Sequence, residues 1–512
     1  MHAYYYQNKE FITITHRPYT SSDGRYSCIF EGSLVNAKEL RQKVEKTGIY
    51  PTSEQGEELI LELYRFCGDS FAEILCGKFA IIIFDNQLKQ LICVRDRYGV
   101  RPLFYKRVPD GIGITSELTN FKQGVGCKLA ELNQDALRHY FSGGYLPENE
   151  TYLKNIYHVP AGCLLKYDHM GKLSVTPFAH MRVIEGSNDP LVDEGLLYDV
   201  VVNRVRARVR GDKAVGVFYT GNACELALAG IMKESGAEVK LFSAGFKKKW
   251  VMTKAHDEDL RHLEMSADDY WHAAAVATHA MGVPLADLSV PIDYLLAEAA
   301  NEHVDTIMCA AGADLLFGAD QIVPQHATKN HDALLFTERE KKQLLKFAGK
   351  PWNEITDPYL AQITDLDLVS RWQTLELNTR FKGSTILKKE RLMTYYDLEG
   401  MYPFLDEEIL NIVSFLTTDE KKSMFLFKQM FAKEISKFSK PKKKPQQIPL
   451  ASWLRTELYQ PVKDVFEQDI AQEFFNIEML FKMLEQHYLG LRDLSPQIWA
   501  VTMFIVWLKK LS

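Results

Sequence analysis

The apolar positions of this chain fall into two regimes. Up to about residue 120 they come as short alternating or β-rich runs, at Phe11 to His16 and Tyr26 to Phe30, with two helical stretches between them. Ala37 to Thr47 reads as a charged helix, and Glu57 to Phe66 as an amphipathic one with Leu59, Ile60 and Leu63 on one side. Phe79 to Phe84 is a continuous apolar run, turned at Asp85-Asn86 and followed by Gln90 to Arg95, which predicts an antiparallel hairpin in a layered sheet. A helix near Gln134 to Phe141 and a β-rich section, Ile156 to Tyr167, complete this half. Met181 to Pro190 has turn formers and no period, which places the domain linker there.

From about residue 193 strands alternate with long helices, the pattern of a parallel α/β sheet. The expected order is helix Asp193 to Arg210, strand Val215 to Tyr219, helix Cys224 to Ser235, strand Val239 to Ser243, helix Ala267 to Met281 and strand Val304 to Cys309. Beyond Leu315 the chain reads as mostly helical, interrupted by a basic loop, Lys440 to Pro445. Thr220-Gly221-Asn222 joins the strand from Val215 to the helix after it. A tight turn of small residues there can present backbone N–H groups to a phosphate, or be an ordinary corner.

Composition narrows the class. At 512 residues the chain is long enough for two or three domains with substantial cores. A net charge of -6 gives no electrostatic case for a nucleic-acid or membrane partner. No run of about 18 apolar residues could span a bilayer, and the first residues lack the apolar core of a secretory signal. The eight cysteines are scattered, with no C-x-x-C pair, and read as reduced thiols of a cytoplasmic protein.

Several stretches, in shared order and spacing, resemble the asparagine synthetase superfamily, which includes β-lactam and carbapenam synthetases and lasso-peptide cyclases. In the N-terminal half these are Glu58 to Tyr64, Cys76-Gly77-Lys78-Phe79-Ala80, Arg95 to Tyr105, Thr115-Ser116-Glu117 and Val159-Pro160-Ala161-Gly162. In the C-terminal half they are Leu241 to Phe246, Gly312 to Gly318, Leu398-Glu399 with Pro403 to Asp406, and Lys443 with Ile448 to Trp453. The resemblance implies an α/β protein of two domains. Residues 1–185 would form a class II glutaminase-like antiparallel sandwich with helices. Residues 193–512 would form a parallel-sheet domain of the adenine nucleotide α-hydrolase type. Active members use ATP and Mg2+ to adenylate a carboxylate, which an amine then attacks.

Set against that resemblance, both sites are altered. The glutaminase nucleophile is an N-terminal cysteine, whereas this chain reads Met1-His2-Ala3, with no cysteine before Cys28. The oxyanion-binding Asn-Gly pair falls at Glu31-Gly32, where a carboxylate would repel the developing charge. The aspartate that grips the glutamine amine falls near Gly56.

The pyrophosphate loop S-G-G-x-D-S matches Thr220 to Glu225. Thr220 keeps a hydroxyl, Gly221 keeps the close backbone approach, and Asn222 is tolerable because Asn visits left-handed conformations. Cys224 replaces a magnesium aspartate, and hard cations prefer oxygen to sulfur. Glu225 replaces a serine that contacts phosphate; like charges about 4 Å apart repel by roughly 4 kcal/mol at an effective dielectric near 20. On a helix Glu225 points about 100° away from Cys224, so it does not simply inherit the metal.

Asp314 matches the second magnesium carboxylate, in Gly312 to Gly318. A catalytic Glu or Tyr of the family falls at Ala311, whose methyl group cannot orient a proton or an amine. Lys443 fits the lysine that neutralises phosphates, or is a solvated member of a basic loop.

The resemblance therefore gives Thr220, Gly221, Asn222, Ser243 and Gly312 as candidate ATP and pyrophosphate contacts, Asp314 as a candidate Mg2+ ligand and Lys443 as a candidate catalytic group. Two expectations follow. One is a homologue without glutaminase activity and with lost or strongly altered adenylation, a pseudoenzyme or companion subunit binding no cofactor. The other is a divergent ATP- and Mg2+-dependent ligase or cyclase joining a small-molecule or peptide carboxylate to an amine taken up directly.

Overall fold

A computed structural model of the chain describes residues 1–6, 10–14, 17–51, 56–121, 129–146, 150–179, 194–209, 214–246, 260–318, 335–361, 363–364, 366–417, 420–421, 424–438 and 447–511. The linker expected at residues 181–190 and Lys443 lie outside them. Two compact units result: Met1–Gly126 with Glu148–Arg182, and Cys127–Pro147 with Val183–Ser512.

The strands of the first unit are β1 (His2–Tyr6), β2 (Phe11–Thr13), β3 (Tyr19–Thr20), β4 (Tyr26–Leu34), β5 (Gly77–Asp85), β6 (Gln90–Arg95), β7 (Phe104–Val108), β8 (Gly111–Thr115), β9 (Ile156–His158), β10 (Cys163–Asp168) and β11 (Leu173–Pro177). They form two antiparallel sheets, ordered β2-β1-β8-β7-β9 and β11-β10-β6-β5-β4-β3. The hairpin read from the sequence is β5 and β6, paired Ile82 to Cys93 and Phe84 to Leu91.

Its unbroken apolar run follows from burial on both faces. Ala80, Ile82 and Phe84 join a core with Tyr5, Ile112 and Ile114 of the other sheet. Phe79, Ile81 and Ile83 face Leu40, Val44, Leu59, Ile60 and Leu63 of the helices Ala37–Glu45 and Gly56–Cys67. Each such side chain contributes about 1.5–3 kcal/mol when fully buried.

The motif Arg95 to Pro102 is a structural corner. The wholly buried Asp96 accepts the N–H groups of Tyr98, Val100 and Arg101 at 2.9–3.0 Å, while Arg95 donates to the carbonyls of Gly99, Arg101 and Val159.

The second unit carries β12 (Val215–Phe218), β13 (Val239–Gly245), β14 (Leu260–Glu264), β15 (Thr306–Met308) and β16 (Glu399–Met401), all parallel, in the order β14-β13-β12-β15-β16. β12 is central and buried at every position, which is why Val215 to Phe218 show no alternation. The helix Glu194–Arg206, the helix Ala223–Glu234 and later helices bury Val201, Val205, Leu226 and Phe427 against this sheet.

Helix Gln134–Gly143, which lies in the N-terminal half of the sequence, groups with this second unit. Its aromatic face explains the allegiance: Phe141 packs edge-on to Phe475 and Phe504, and Tyr140 donates to the Ala500 carbonyl at 2.8 Å. No helix among the described residues is long and apolar enough to cross a membrane.

Candidate nucleotide-type site in the parallel-sheet unit

The strand order reverses between β12 and β15, and an open parallel sheet leaves a crevice beyond the carboxyl ends of the strands at such a point. A cavity of about 1350 Å³ opens there, lined by the residues after β12 (Tyr219 to Ala223), at the end of β13 (Ala244 to Phe246) and after β15 (Cys309 to Gly312). Thr220, Gly221, Asn222, Gly312 and Asp314 all line it. The structure thus brings together five of the residues picked out from the sequence.

The turn after β12 is built by Gly221 and Asn222. Gly221 takes φ +100°, and Asn222 is extended at φ −89° and ψ 142°, so the left-handed tolerance expected to matter at Asn222 is used at Gly221 instead. Asn222 is the N-cap of helix Ala223–Glu234, and its side chain accepts the Cys224 N–H at 3.2 Å.

Glu225 then bends back over the turn. Its Oε2 accepts the N–H groups of Thr220 at 2.7 Å and Asn222 at 3.2 Å, and its Oε1 accepts the Thr220 hydroxyl at 2.7 Å. The backbone donors that a phosphate would use are taken by the chain's own carboxylate. Burial pushes the Glu225 carboxyl up to about 7 from its ordinary 4.5, against the pull of those three bonds and of the Lys389 ammonium.

The opposite wall starts at Gly312, φ +97°, which leads into helix Ala313–Phe317. Asp314 in its first turn accepts the Asn222 side-chain amide at 2.5 Å. Burial raises the Asp314 carboxyl, while that amide and the Lys389 and Lys428 ammonium groups partly offset the rise. The Cys224 thiol lies 4.0 Å from Asp314 Oδ1 and 3.9 Å from the Met424 sulfur, is wholly buried, and is pushed well up by that burial.

The position that would pair with Asp314 across a hard cation therefore offers a protonated sulfur. Among the described residues no group of three or more His, Cys, Asp or Glu could hold a metal ion. The donor set does not fit a magnesium held between two carboxylates, and a filled loop does not fit a pyrophosphate.

Sequence reasoning missed the cationic wall. A π-helical turn, Phe381–Ile386, runs into helix Leu387–Tyr395 and sets Lys388 and Lys389 on the cavity lining beside Arg380. Lys388 Nζ lies 2.5 Å from Asp287 Oδ2 and 3.5 Å from Asp293, and Lys389 lies 3.5 Å from Asp293 Oδ1.

Burial works to raise the Asp287 carboxyl, yet the Lys388 ammonium overrides it and holds the group well below the carboxylate range. Burial likewise opposes charge on Lys389, but Asp293, Cys309 and Glu225 keep it protonated. These residues come from segments about a hundred positions apart, with no local motif to announce them.

Ser243 is absent from the lining. It is 1% exposed in β13, and its hydroxyl lies 2.9 Å from His262 Nδ1 on the neighbouring strand.

In the first unit, Glu31 Oε2 lies 3.0 Å from the Met1 amino group, which also reaches Ser116 Oγ at 2.6 Å, and Arg101 stands 3.9 Å from the other Glu31 oxygen. Burial pushes Glu31 up, but the ammonium, the Ser116 hydroxyl and Arg101 together bring it below its ordinary value. Cys28 is wholly buried in β4, its thiol pushed well up by desolvation and further by Glu57.

Fold and site together define a two-unit protein with an antiparallel sandwich of amidotransferase type and a parallel-sheet unit of synthetase type. Residues 11–178 match the family described as glutamine amidotransferase domain, and residues 196–509 match asparagine synthase. The chain belongs to the asparagine synthase family. It is 24% identical to asparagine synthetase [glutamine-hydrolyzing] 1 of Bacillus subtilis, over 96% of this chain and 86% of that protein. It is also 24% identical to a putative asparagine synthetase [glutamine-hydrolyzing] of Mycobacterium tuberculosis, over 94% and 84% of the two chains. A putative asparagine synthetase [glutamine-hydrolyzing] 2 of Methanocaldococcus jannaschii is 26% identical over 57% of this chain and 58% of its own.

Proposed function

We propose that this chain is an asparagine synthetase-like protein without glutaminase activity, in which ATP-dependent adenylation of a carboxylate is lost or strongly altered. It acts as a pseudoenzyme or a companion subunit in the cytoplasm. The observation that carries this reading is the Glu225 carboxylate on the N–H groups of Thr220 and Asn222. An anion entering the same turn meets a like charge and finds its donors engaged. Cys224 in the place of a carboxylate, and Ala311 in the place of a proton-handling group, act in the same direction.

A second reading has its own support. Asp314, Gly312 and the ammonium groups of Lys388, Lys389 and Lys428 line one cavity, a setting suited to a divergent ligase that binds ATP and Mg2+ in another register and takes its amine directly. There Thr220, Gly221, Asn222 and Gly312 serve the nucleotide, Asp314 a metal and Lys443 the phosphates, while Ser243, buried against His262, takes no part.

Melting with and without ATP and Mg2+, together with carboxylate-dependent ATP–pyrophosphate exchange, separates the two. A ligand that binds only the folded state raises the melting temperature. The first reading expects neither a shift nor exchange with a broad pool of acids, and exchange with any acid overturns it.

A further inference from the structure

The bonds around Glu225 exceed what a helix start needs. A capping box asks the third helical residue to accept one bond, from the N-cap N–H. Here that bond, from Asn222, is the longest of three at 3.2 Å. The two shorter ones, each 2.7 Å, come from the N–H and the hydroxyl of Thr220, which lies before the helix, two residues past the end of β12. The carboxylate therefore sits in the mouth of the turn, 9% exposed, with donors from both the strand end and the helix start converging on it.

Gly221 at φ +100° holds those donors on one side, and the turn lines the 1350 Å³ cavity. Lys389 of helix Leu387–Tyr395 and Lys428 line the same cavity, the Lys389 ammonium acting on the Glu225 carboxyl and both ammonium groups on the neighbouring Asp314. Two planar oxygens, three convergent donors and nearby cations are the surroundings of a bound oxyanion.

We propose that Glu225 is the resident occupant of an oxyanion site, an intramolecular anion that keeps the turn after β12 closed to phosphate-bearing ligands, and that removing its carboxylate opens the turn to inorganic pyrophosphate. This rests on the reading that adenylation is lost or strongly altered, and gives it a single-residue cause. Two supports of the turn remain when the Glu225 carboxylate is removed: the positive φ of Gly221 and the Asn222 side chain on the Cys224 N–H. Shortening residue 225 frees the donors without dismantling their arrangement.

The test uses the full chain and inorganic pyrophosphate, titrated by calorimetry into the unmodified protein, Glu225→Ser and Glu225→Ala. Both variants are expected to bind at least about 30-fold more tightly than the unmodified protein, a difference on the order of 2 kcal/mol. Amide hydrogen exchange supplies a second readout. At Thr220 and Asn222 exchange should quicken on substitution and slow again when pyrophosphate is added, while the unmodified protein shows no such response.

Equal affinity in all three proteins overturns the proposal, as does folded Glu225→Ala whose Thr220 and Asn222 amides ignore pyrophosphate. Carboxylate-dependent ATP–pyrophosphate exchange by the unmodified protein overturns the functional reading instead, so the two failures are told apart.

Discussion

Glu225 and Thr220 are joined twice: one carboxylate oxygen accepts the Thr220 N–H and the other accepts its hydroxyl, both at 2.7 Å. Even with these bonds, burial lifts the Glu225 carboxyl to about 7, against 4.5 in the open chain. Below pH 4.5 the group is neutral in both folded and unfolded protein and is at its most favourable. As pH rises to about 7 the folded protein must give up a proton that it holds more firmly than the unfolded chain, so stability falls through that window and levels off above it.

The difference corresponds to about 3 kcal/mol. Glu225→Gln removes the titration. Its stability relative to the unmodified protein should therefore rise between pH 5 and pH 8 by up to about that amount, read from urea midpoints at each pH. A difference that stays flat with pH would mean that Glu225 is not held as described.

Cys224 and Asp314 stand 4.0 Å apart, sulfur to carboxylate oxygen. Cys224→Asp puts a second carboxylate into that gap. Without a cation the pair repels by roughly 4 kcal/mol at an effective dielectric near 20, and the variant should melt well below the unmodified protein. Magnesium should then recover part of the loss, because two carboxylates present the oxygen donors that this ion prefers. The expected signature is a Mg2+-dependent rise in melting temperature in Cys224→Asp that the unmodified protein lacks. Calcium and sodium controls at equal ionic strength separate coordination from screening.

Much of the fold was legible because its signals are local. The Phe79 to Phe84 run, the buried strand at Val215 and the helix Ala267–Met281 each carry their pattern within 15 residues or fewer. The allegiance of helix Gln134–Gly143 was hidden, since the aromatic side chains that claim it, Phe475 and Phe504, lie over 300 positions away.

At the site, comparison with the pyrophosphate loop presents Glu225 as a charge facing a phosphate, or as a displaced metal ligand. The spacing Asn222-x-x-Glu225 is a capping-box signature, and reading it as one would have predicted the backward bend. Asp287, Asp293, Lys388 and Lys389 had no such signature. Their meeting depends on the packing of helices Val290–Asn301 and Leu387–Tyr395, which no short pattern encodes.

Lys388 binds this wall together. It is 7% exposed, donates to Asp287 and to the Ser289 hydroxyl, and lies within ion-pair distance of Asp293. Lys388→Met keeps the aliphatic stem but leaves the Asp287 carboxylate without its cation. Lys388 is buried but the Asp287 side chain is 28% exposed, so breaking this pair from one side costs somewhat less than the roughly 3–5 kcal/mol of a fully buried pair. A large loss in urea stability is expected, and Lys388→Met combined with Asp287→Asn should recover part of it. Additive losses in the double variant would show that the two residues are not coupled.

Glu31 and Gly32 are neighbours in β4 of the first unit and are held there for different reasons. Gly32 takes φ +135°, and a Cβ there would lie 2.1 Å from the Lys78 carbonyl oxygen on the paired strand. Gly32→Ala must strain or separate β4 from β5, at a cost of at least about 2 kcal/mol. Gly32 is thus retained by packing, whether or not the unit hydrolyses anything. Glu31 differs, because its carboxylate is answered by the Met1 amino group and Arg101 instead of by a substrate. Glu31→Asn restores an amide donor of the oxyanion-binding type but supplies no nucleophile, since Cys28 is wholly buried with its thiol pushed well up. Incubation of the unmodified protein or of Glu31→Asn with glutamine should release no glutamate above the spontaneous rate. Release by either protein would overturn the reading that this unit has no glutaminase activity.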